Sequence, residues 1–233
     1  MVSVERYDSM DEQVVLVTGA TRGIGEQIAT QLVDHGATVY TGARSTDDVT
    51  AAGQRPIELD VTDDATMRAA VDHVAADAGR LDVLVNNAGV GGPRGPLHAA
   101  AVEDVDATLA VNLRGPVVLT QLALPHLLDG QGGRVVNVSS GMGALGEGMS
   151  GGWPAYRVSK AGLNGFTTYL HGQYHGQGLV ANAACPGWVR TDMGSPAAPK
   201  SPAEGADTPV WLATFRPGST GGRFWRNREV IAW

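Results

Sequence analysis

The chain has 233 residues, enough to bury a sizeable core as one domain, and 43 % are hydrophobic, an ordinary share for a globular protein. Seventeen basic against twenty-four acidic residues give a net charge of −7 without a basic cluster, which argues against a nucleic-acid partner. The single cysteine, Cys185, excludes an internal disulfide and a cysteine-rich metal site. The polar start is unlike a signal peptide and no apolar run reaches bilayer length, so a cytoplasmic protein with no membrane partner and no metal is expected.

Residues 1–12 read as a flexible tail. VVLVTG, from Val14, is a β-branched run of the kind that forms a buried parallel strand. A glycine-rich turn follows, then a predicted helix over 24–35 that Gly36 ends. ATVYTGA and RPIELDV supply the second and third strands, with little room for a full helix between Arg44 and Pro56. A second helix covers 63–78, and LDVLVNNAG is the fourth strand with its turn. Residues 102 to about 128 are helical with breaks. GRVVNVSS, a long helix over 156–175, GLVANAACPG, a helix near 203–213 and GGRFWR complete the pattern.

Strands alternating with helices of this length imply right-handed crossovers. The fold expected is a single-domain Rossmann-type α/β unit with a doubly wound parallel sheet of about seven strands. Many of the 32 glycines lie beside apolar runs, which points to tight strand-to-helix turns rather than disorder. The glycine-rich stretch 141–152 joins a strand to a helix and is an active-site loop rather than a linker.

TGATRGIG, residues 18–25, occupies the first strand-to-helix junction. Gly19 can turn there without a Cβ penalty, and Gly23 and Gly25 admit a close ligand. A diphosphate would lie over the helix N-terminus beside Thr21 and Ile24. The glycine spacing departs from GxGxxG, but the position favours a nucleotide. At the end of the second strand the chain reads TGARS. Arg44 stands where an NAD-binding protein has a carboxylate for the ribose 2′-hydroxyl, and with Arg22 it suits a 2′-phosphate, so NADP(H) is the expected cofactor. Tyr156 and Lys160 are four apart and project from one side of a helix, where an ammonium favours ionisation of a phenol.

TGATRGIG, NNAG at 86–89, VNVSS at 136–140, YRVSK at 156–160 and CPGWVRTDM at 185–193, in this order, resemble the classical short-chain dehydrogenase/reductase family. PGWVRTDM, the following KSPAEGADTP and the Trp-ended C-terminus are most similar to its NADPH-dependent carbonyl reductase branch. The resemblance implies an oxidoreductase that reduces small aldehydes or ketones to alcohols. It implies Tyr156 as general acid and Lys160 lowering its pKa while holding the nicotinamide ribose. Ser140, rather than Ser139, would polarise the carbonyl. Asn112, in LAVNLRG, completes the set; asparagine is a poor helix former, so its place in a helix implies a purpose, such as holding a water that feeds the lysine. Asp60 and Val61 match the segment that meets adenine, and Asn86, Ala88 and Gly89 the segment beside the ribose. Pro186, Gly187, Val189, Thr191 and Met193 match the stretch around the nicotinamide amide.

Met142, Trp153, Trp188 and Met193 flank the expected site and are candidates for an apolar substrate pocket. The interval from Ser140 to Tyr156 is longer than usual in classical members, yet lacks the far longer insert of monomeric animal carbonyl reductases. The resemblance therefore implies a homodimer or homotetramer through the long helices. His171 and His175, one turn apart, are expected to face solvent or a partner. The competing function class is a non-catalytic NADP-binding redox sensor or interaction protein, against which the intact Ser, Tyr and Lys set argues.

Overall fold

In the computed structural model, which describes residues 4–129 and 132–233, the apolar runs become the centre of an eight-stranded sheet ordered β3-β2-β1-β4-β5-β6-β7-β8. The strands are β1 (Val14–Thr18), β2 (Thr38–Ala43), β3 (Gln54–Glu58), β4 (Val83–Asn86), β5 (Arg134–Val138), β6 (Val180–Ala184), β7 (Phe224–Arg226) and β8 (Glu229–Ile231). Each of β1, β4, β5 and β6 is buried along its whole length, as strands covered on both faces must be. Alternation sorts their side chains between two layers. Val15 and Val17 pack with Ile28 and Leu32 of α1 (Gly23–Asp34) and Val210 of α6 (Pro202–Ala213). Val14 and Leu16 pack with Met67 and Val71 of α2 (Asp64–Ala78), Leu119 of α4 (Gly115–Leu127) and Leu170 of α5 (Pro154–Tyr174).

Helix starts and stops follow local chemistry. Asp63 caps α2 by accepting from the Ala65 amide at 2.8 Å, and Gly79 closes it in the left-handed conformation. Ser201 and Glu204 form a capping box at the head of α6. The expected breaks in residues 102–128 are real: α3 (Val102–Leu109) passes through a π turn, Ala110–Arg114, into α4. Taken as one run, Val102–Leu127 is long and apolar enough to cross a membrane. Here its buried residues include Thr108, Asn112 and Thr120, each hydrogen-bonded inside the fold. As expected, only a short 3-10 turn, Thr46–Asp48, fits between β2 and β3.

The expected doubly wound sheet of about seven strands is present; β1 to β7 run parallel, and one further strand, β8, adds antiparallel to β7. Asn227 and Arg228 at their junction both have positive φ (54° and 62°), the conformation of a tight hairpin turn. The usual Asn-Gly signal is absent. Tertiary contacts hold the turn instead: Arg228 pairs with Asp207 and Lys200 donates to Asn227 Oδ1 at 2.5 Å.

One expectation needs correction: of the supposed tail, residues 1–3 lie outside the described residues, and the chain is docked from residue 4 onward. The Tyr7 amide donates to Thr214 O at 2.8 Å and the Met10 amide to His35 O at 2.7 Å. The Tyr7 ring lies between the guanidinium groups of Arg134 and Arg216, at 5.2 and 4.8 Å. Met10 is fully buried among the α1 and α6 core residues. Met10→Ala is therefore expected to cost about 2–5 kcal/mol of stability in denaturant unfolding, the range for truncating a core methionine. A loss below about 0.5 kcal/mol, typical of a surface site, would return this segment to the status of a tail.

Candidate active site

The C-terminal ends of β1, β4, β5 and β6 meet at one edge of the sheet. The chain order reverses between β1 and β4, which opens the crevice that ligands occupy in such sheets. The glycine turn leaves β1 here. Gly19 has φ 61° and lies so near the NNAG segment that a Cβ would stand 2.8 Å from Ala88 Cα; one at Gly25 would collide with Gly19 O and Asn87 Nδ2. Thr18 Oγ1 accepts from the amides of both Asn87 and Ala88 at 3.0 Å, and Asn87 Nδ2 donates to Thr18 O and Gly19 O at 3.0 Å. Thr18 and Asn87 thus knot the turn to the end of β4. They did not emerge from the sequence as separate site residues, although Asn87 lies inside the NNAG signature. The neighbouring Asn86 turns inward instead, its Nδ2 donating to Asn137 Oδ1 at 2.8 Å and Thr120 Oγ1 at 3.1 Å.

The residues expected to meet the adenine side sit at the ends of β2 and β3. Asp60 accepts from the amide and hydroxyl of Thr62 at 2.8 and 2.7 Å, bonds that hold its carboxyl below the usual range. Val61 is buried against α2 and α4. Arg44 is exposed and makes no hydrogen bond or ion pair among the described residues; its charge also pulls Asp60 down. Arg22 extends from the glycine turn to Asp192 at 3.3 Å. Val189 is buried and bridges to Lys200, while Gly187, Trp188 and Met193 are exposed around it. Pro186 is fastened through its carbonyl, which accepts from Lys200 Nζ at 3.2 Å. Near Thr191, Gly23 approaches closely enough that a Cβ would be 3.4 Å from Thr191 Cγ2.

At the end of β5 the chain brings Ser140, Tyr156 and Lys160 together. The Ser140 hydroxyl lies close enough to the Tyr156 phenol to lower its pKa, and it accepts from the Met142 amide at 3.1 Å. Lys160, 4 % exposed, donates from Nζ to Val138 O at 2.8 Å and stands 5.7 Å from the Tyr156 ring centroid. A methyl on Gly89 would stand 3.4 Å from Asn112 Oδ1 and 3.6 Å from Lys160 Nζ, so the NNAG segment passes directly over both. Asn112 is fully buried in the π turn. Its Oδ1 accepts from the Val90 amide and its Nδ2 donates to Val90 O, both at 2.8 Å, with Ser159 Oγ at 3.1 Å. This helical asparagine thus clamps residue 90, and π turns occur often at functional sites.

The electrostatics differ from the expectation for Tyr156. Burial raises the phenol pKa, the Ser140 hydrogen bond lowers it, and the nearby Cys185 sulfur pushes it up again; the balance is upward. Burial also lowers the Lys160 ammonium to about 8. Desolvation of both groups therefore outweighs the downward pull expected from lysine on the phenol. Ser139 points the other way from Ser140, donating to Asn164 Oδ1 at 2.6 Å in the interior.

Among the pocket candidates, Trp153 packs edge-to-face on Tyr156, with ring centroids 6.3 Å apart, and Arg94 stacks on its outer face at 4.8 Å. Trp153 has φ 68°, an unusual conformation for a bulky residue, in which its indole lies against Gly91. Met142 lies on the short helical turn after Ser140, half-buried. Trp188, 56 % exposed, stands at the rim. The histidine pair is elsewhere, and His171 does not simply face solvent: Gly221 and Gly222 cover its ring, Nδ1 is buried, and burial lowers its pKa.

The short chain dehydrogenase family model matches residues 13–202. The chain is 37 % identical over 194 residues to cis-4-hydroxycyclohexanecarboxylate dehydrogenase of Sinomonas cyclohexanicum, covering 80 % of this chain and 77 % of the relative. It is 34 % identical to carbonyl reductase [NADPH] 1 of Bos taurus, covering 94 % and 98 %. This chain belongs to the short-chain dehydrogenase family. Among solved structures, a short chain dehydrogenase from Burkholderia cenocepacia J2315 in complex with NADP superposes with a TM-score of 0.82 at 31 % identity, covering 93 % and 96 % of the two chains. Membership makes the protein an oxidoreductase.

In this dehydrogenase the buried lysine has a measurable signature. Its folded pKa, about 8, lies below the ordinary 10.5, so between those values the unfolded chain binds the proton more tightly. Stability contributed through Lys160 must then rise with pH across that window, by about 3 kcal/mol in total. Denaturant unfolding of wild type and Lys160→Met from pH 7 to 10.5 isolates this contribution. The stability difference, wild type minus variant, is expected to climb with pH through the window. A flat difference would mean that the ammonium is solvated.

Proposed function

We propose that this dehydrogenase uses NADPH to reduce aldehyde or ketone carbonyls to alcohols. The observation that carries the proposal is the junction of Ser140, Tyr156 and Lys160 at the end of β5, beside the glycine cradle. The residues fit a phosphorylated dinucleotide: the glycine turn stands at the head of α1, packed against the NNAG segment, and Arg44 stands exposed and unpaired at the end of β2. Similarity to a relative named for NADPH and to a structure holding NADP supports the same choice. Bound there, NADPH would supply the hydride that no side chain can provide.

The protein's own groups supply the rest. The Tyr156 phenol, held protonated by its raised pKa, gives a proton to the developing alkoxide. The Ser140 hydroxyl hydrogen-bonds the carbonyl oxygen and stabilises charge as it forms there. Lys160 places a cation behind the phenol ring and beside Gly89, where a ribose hydroxyl would lie. Trp153, Met142 and the exposed Trp188 and Met193 offer an open apolar wall for a carbonyl compound.

Tyr156→Phe keeps the ring and removes the proton donor. Steady-state reduction of an aldehyde should fall by at least roughly 10²-fold, while NADPH binding persists; near wild-type kcat would overturn the assignment. Ser140→Ala should lose activity in the same direction. Ser139→Ala should act mainly on stability, because it strands Asn164 Oδ1 in the interior.

Cofactor choice rests on Arg44. Arg44→Asp replaces attraction for a 2′-phosphate by repulsion and offers an acceptor to a 2′-hydroxyl. The ratio of kcat/KM for NADPH to that for NADH should shift towards NADH, and an unchanged ratio would remove Arg44 from the site.

We further propose self-association through α4 and α5. Val158 and Tyr169 of α5 are more than half exposed, and nothing approaches Gly165 between them. Leu163, on the same helix, is spent on the core. Light scattering should give a mass of two or four chains at micromolar concentration. A mass fixed at 24.2 kDa would exclude the oligomer.

A further inference from the structure

The two arginines expected to meet a 2′-phosphate are not equivalent. Arg44 is unpaired, whereas Arg22 Nε stands 3.3 Å from Asp192 Oδ2. Arg22 precedes α1 with an extended backbone and no side-chain capping bond, so nothing within the glycine turn holds its guanidinium. Asp192 belongs to the segment after β6, which folds on itself. Val189 bridges to Lys200, the Gly194 amide donates to Thr191 Oγ1 at 3.2 Å, and Arg190 Nη1 donates to Ala198 O and Pro199 O at 2.9 Å. The ion pair therefore spans two independently anchored segments at the mouth of the crevice, where Gly23 and Thr191 also come close.

We infer that Asp192 is a specificity-determining residue that occupies Arg22 and is displaced from it when the 2′-phosphate of NADP(H) binds. The inference rests on the cofactor reading given above. Both partners of the pair are nearly four-fifths exposed, so water competes for each and the contact is weak enough to exchange. A phosphate carries more charge than a carboxylate and accepts the same forked donors, so it wins the competition. Asp192 then weakens binding of the phosphorylated cofactor through Arg22 and leaves the unphosphorylated one unaffected. The same exchange unties the 189–194 segment from the glycine turn as the cofactor enters.

The test is direct titration of NADPH and of NADH, followed by their own nicotinamide fluorescence at low ionic strength. It compares wild type, Asp192→Asn, Arg22→Gln and the double variant. Asp192→Asn should bind NADPH roughly two- to five-fold more tightly, the scale of an exposed ion pair, with NADH unchanged. The gain should vanish in the Arg22→Gln background and shrink as salt screens the pair. No gain in Asp192→Asn overturns the inference. An equal gain for NADH, or one that persists without Arg22, also overturns it, since a general field of the carboxylate would then be responsible. Failure of wild type to bind NADPH would instead strike the cofactor reading itself, and the inference with it.

Discussion

A polar seam between α5 and the end of β5 decides the geometry of everything that follows. Lys160, Asn164 and Thr167 lie along one stripe of α5, and all three are buried. Lys160 reaches Val138 O, Asn164 accepts from Ser139 and donates to Gly143 O, and Thr167 accepts from Asn137. Apolar packing alone tolerates sliding of a helix over a sheet. This seam does not, because a shift of one residue would strand several buried polar groups at about 1–3 kcal/mol each. The phase of α5 relative to β5 is thereby fixed, and with it the meeting of Tyr156 and Ser140.

Function then uses what the seam makes rigid. Burial that keeps Lys160 dry also lowers its proton affinity, and burial of Tyr156 raises that of the phenol, which favours its protonated form. Asn112 extends the same construction to the neighbouring helix. Its amide matches both polar groups of the Val90 backbone, so the π turn before α4 is tied to the loop after β4. The phosphate side is built differently. Glycines permit backbone contact, Thr18 and Asn87 hold it, and the charges that would meet a ligand are left on exposed arginines. Precision is concentrated at the chemistry, and adaptability at the mouth.

Much of this was legible in the residues. Strand runs such as VVLVTG are too uniformly apolar to lie anywhere but between two layers, so the order of elements and the parallel core followed from periodicity. The glycine turn, Arg44, and Tyr156 one turn before Lys160 were likewise visible, since each is a local pattern with a local reason. The motifs also carried the family, which the similarity over residues 13–202 bears out.

What the sequence by itself determined was therefore local: which segments extend, which coil, and which side chains one helix turn or strand end must present together. Only the tertiary structure decided the rest. Whether residues 4–12 would wander depended on Met10 finding the α1–α6 core and Tyr7 finding Arg134, partners far away in the chain. The β7–β8 hairpin lacked its glycine because Asp207 and Lys200 hold the turn from outside. The balance of the Tyr156 and Lys160 proton affinities could not be read from their spacing. Spacing reports that two charges are near, whereas desolvation depends on how completely every other element closes over them.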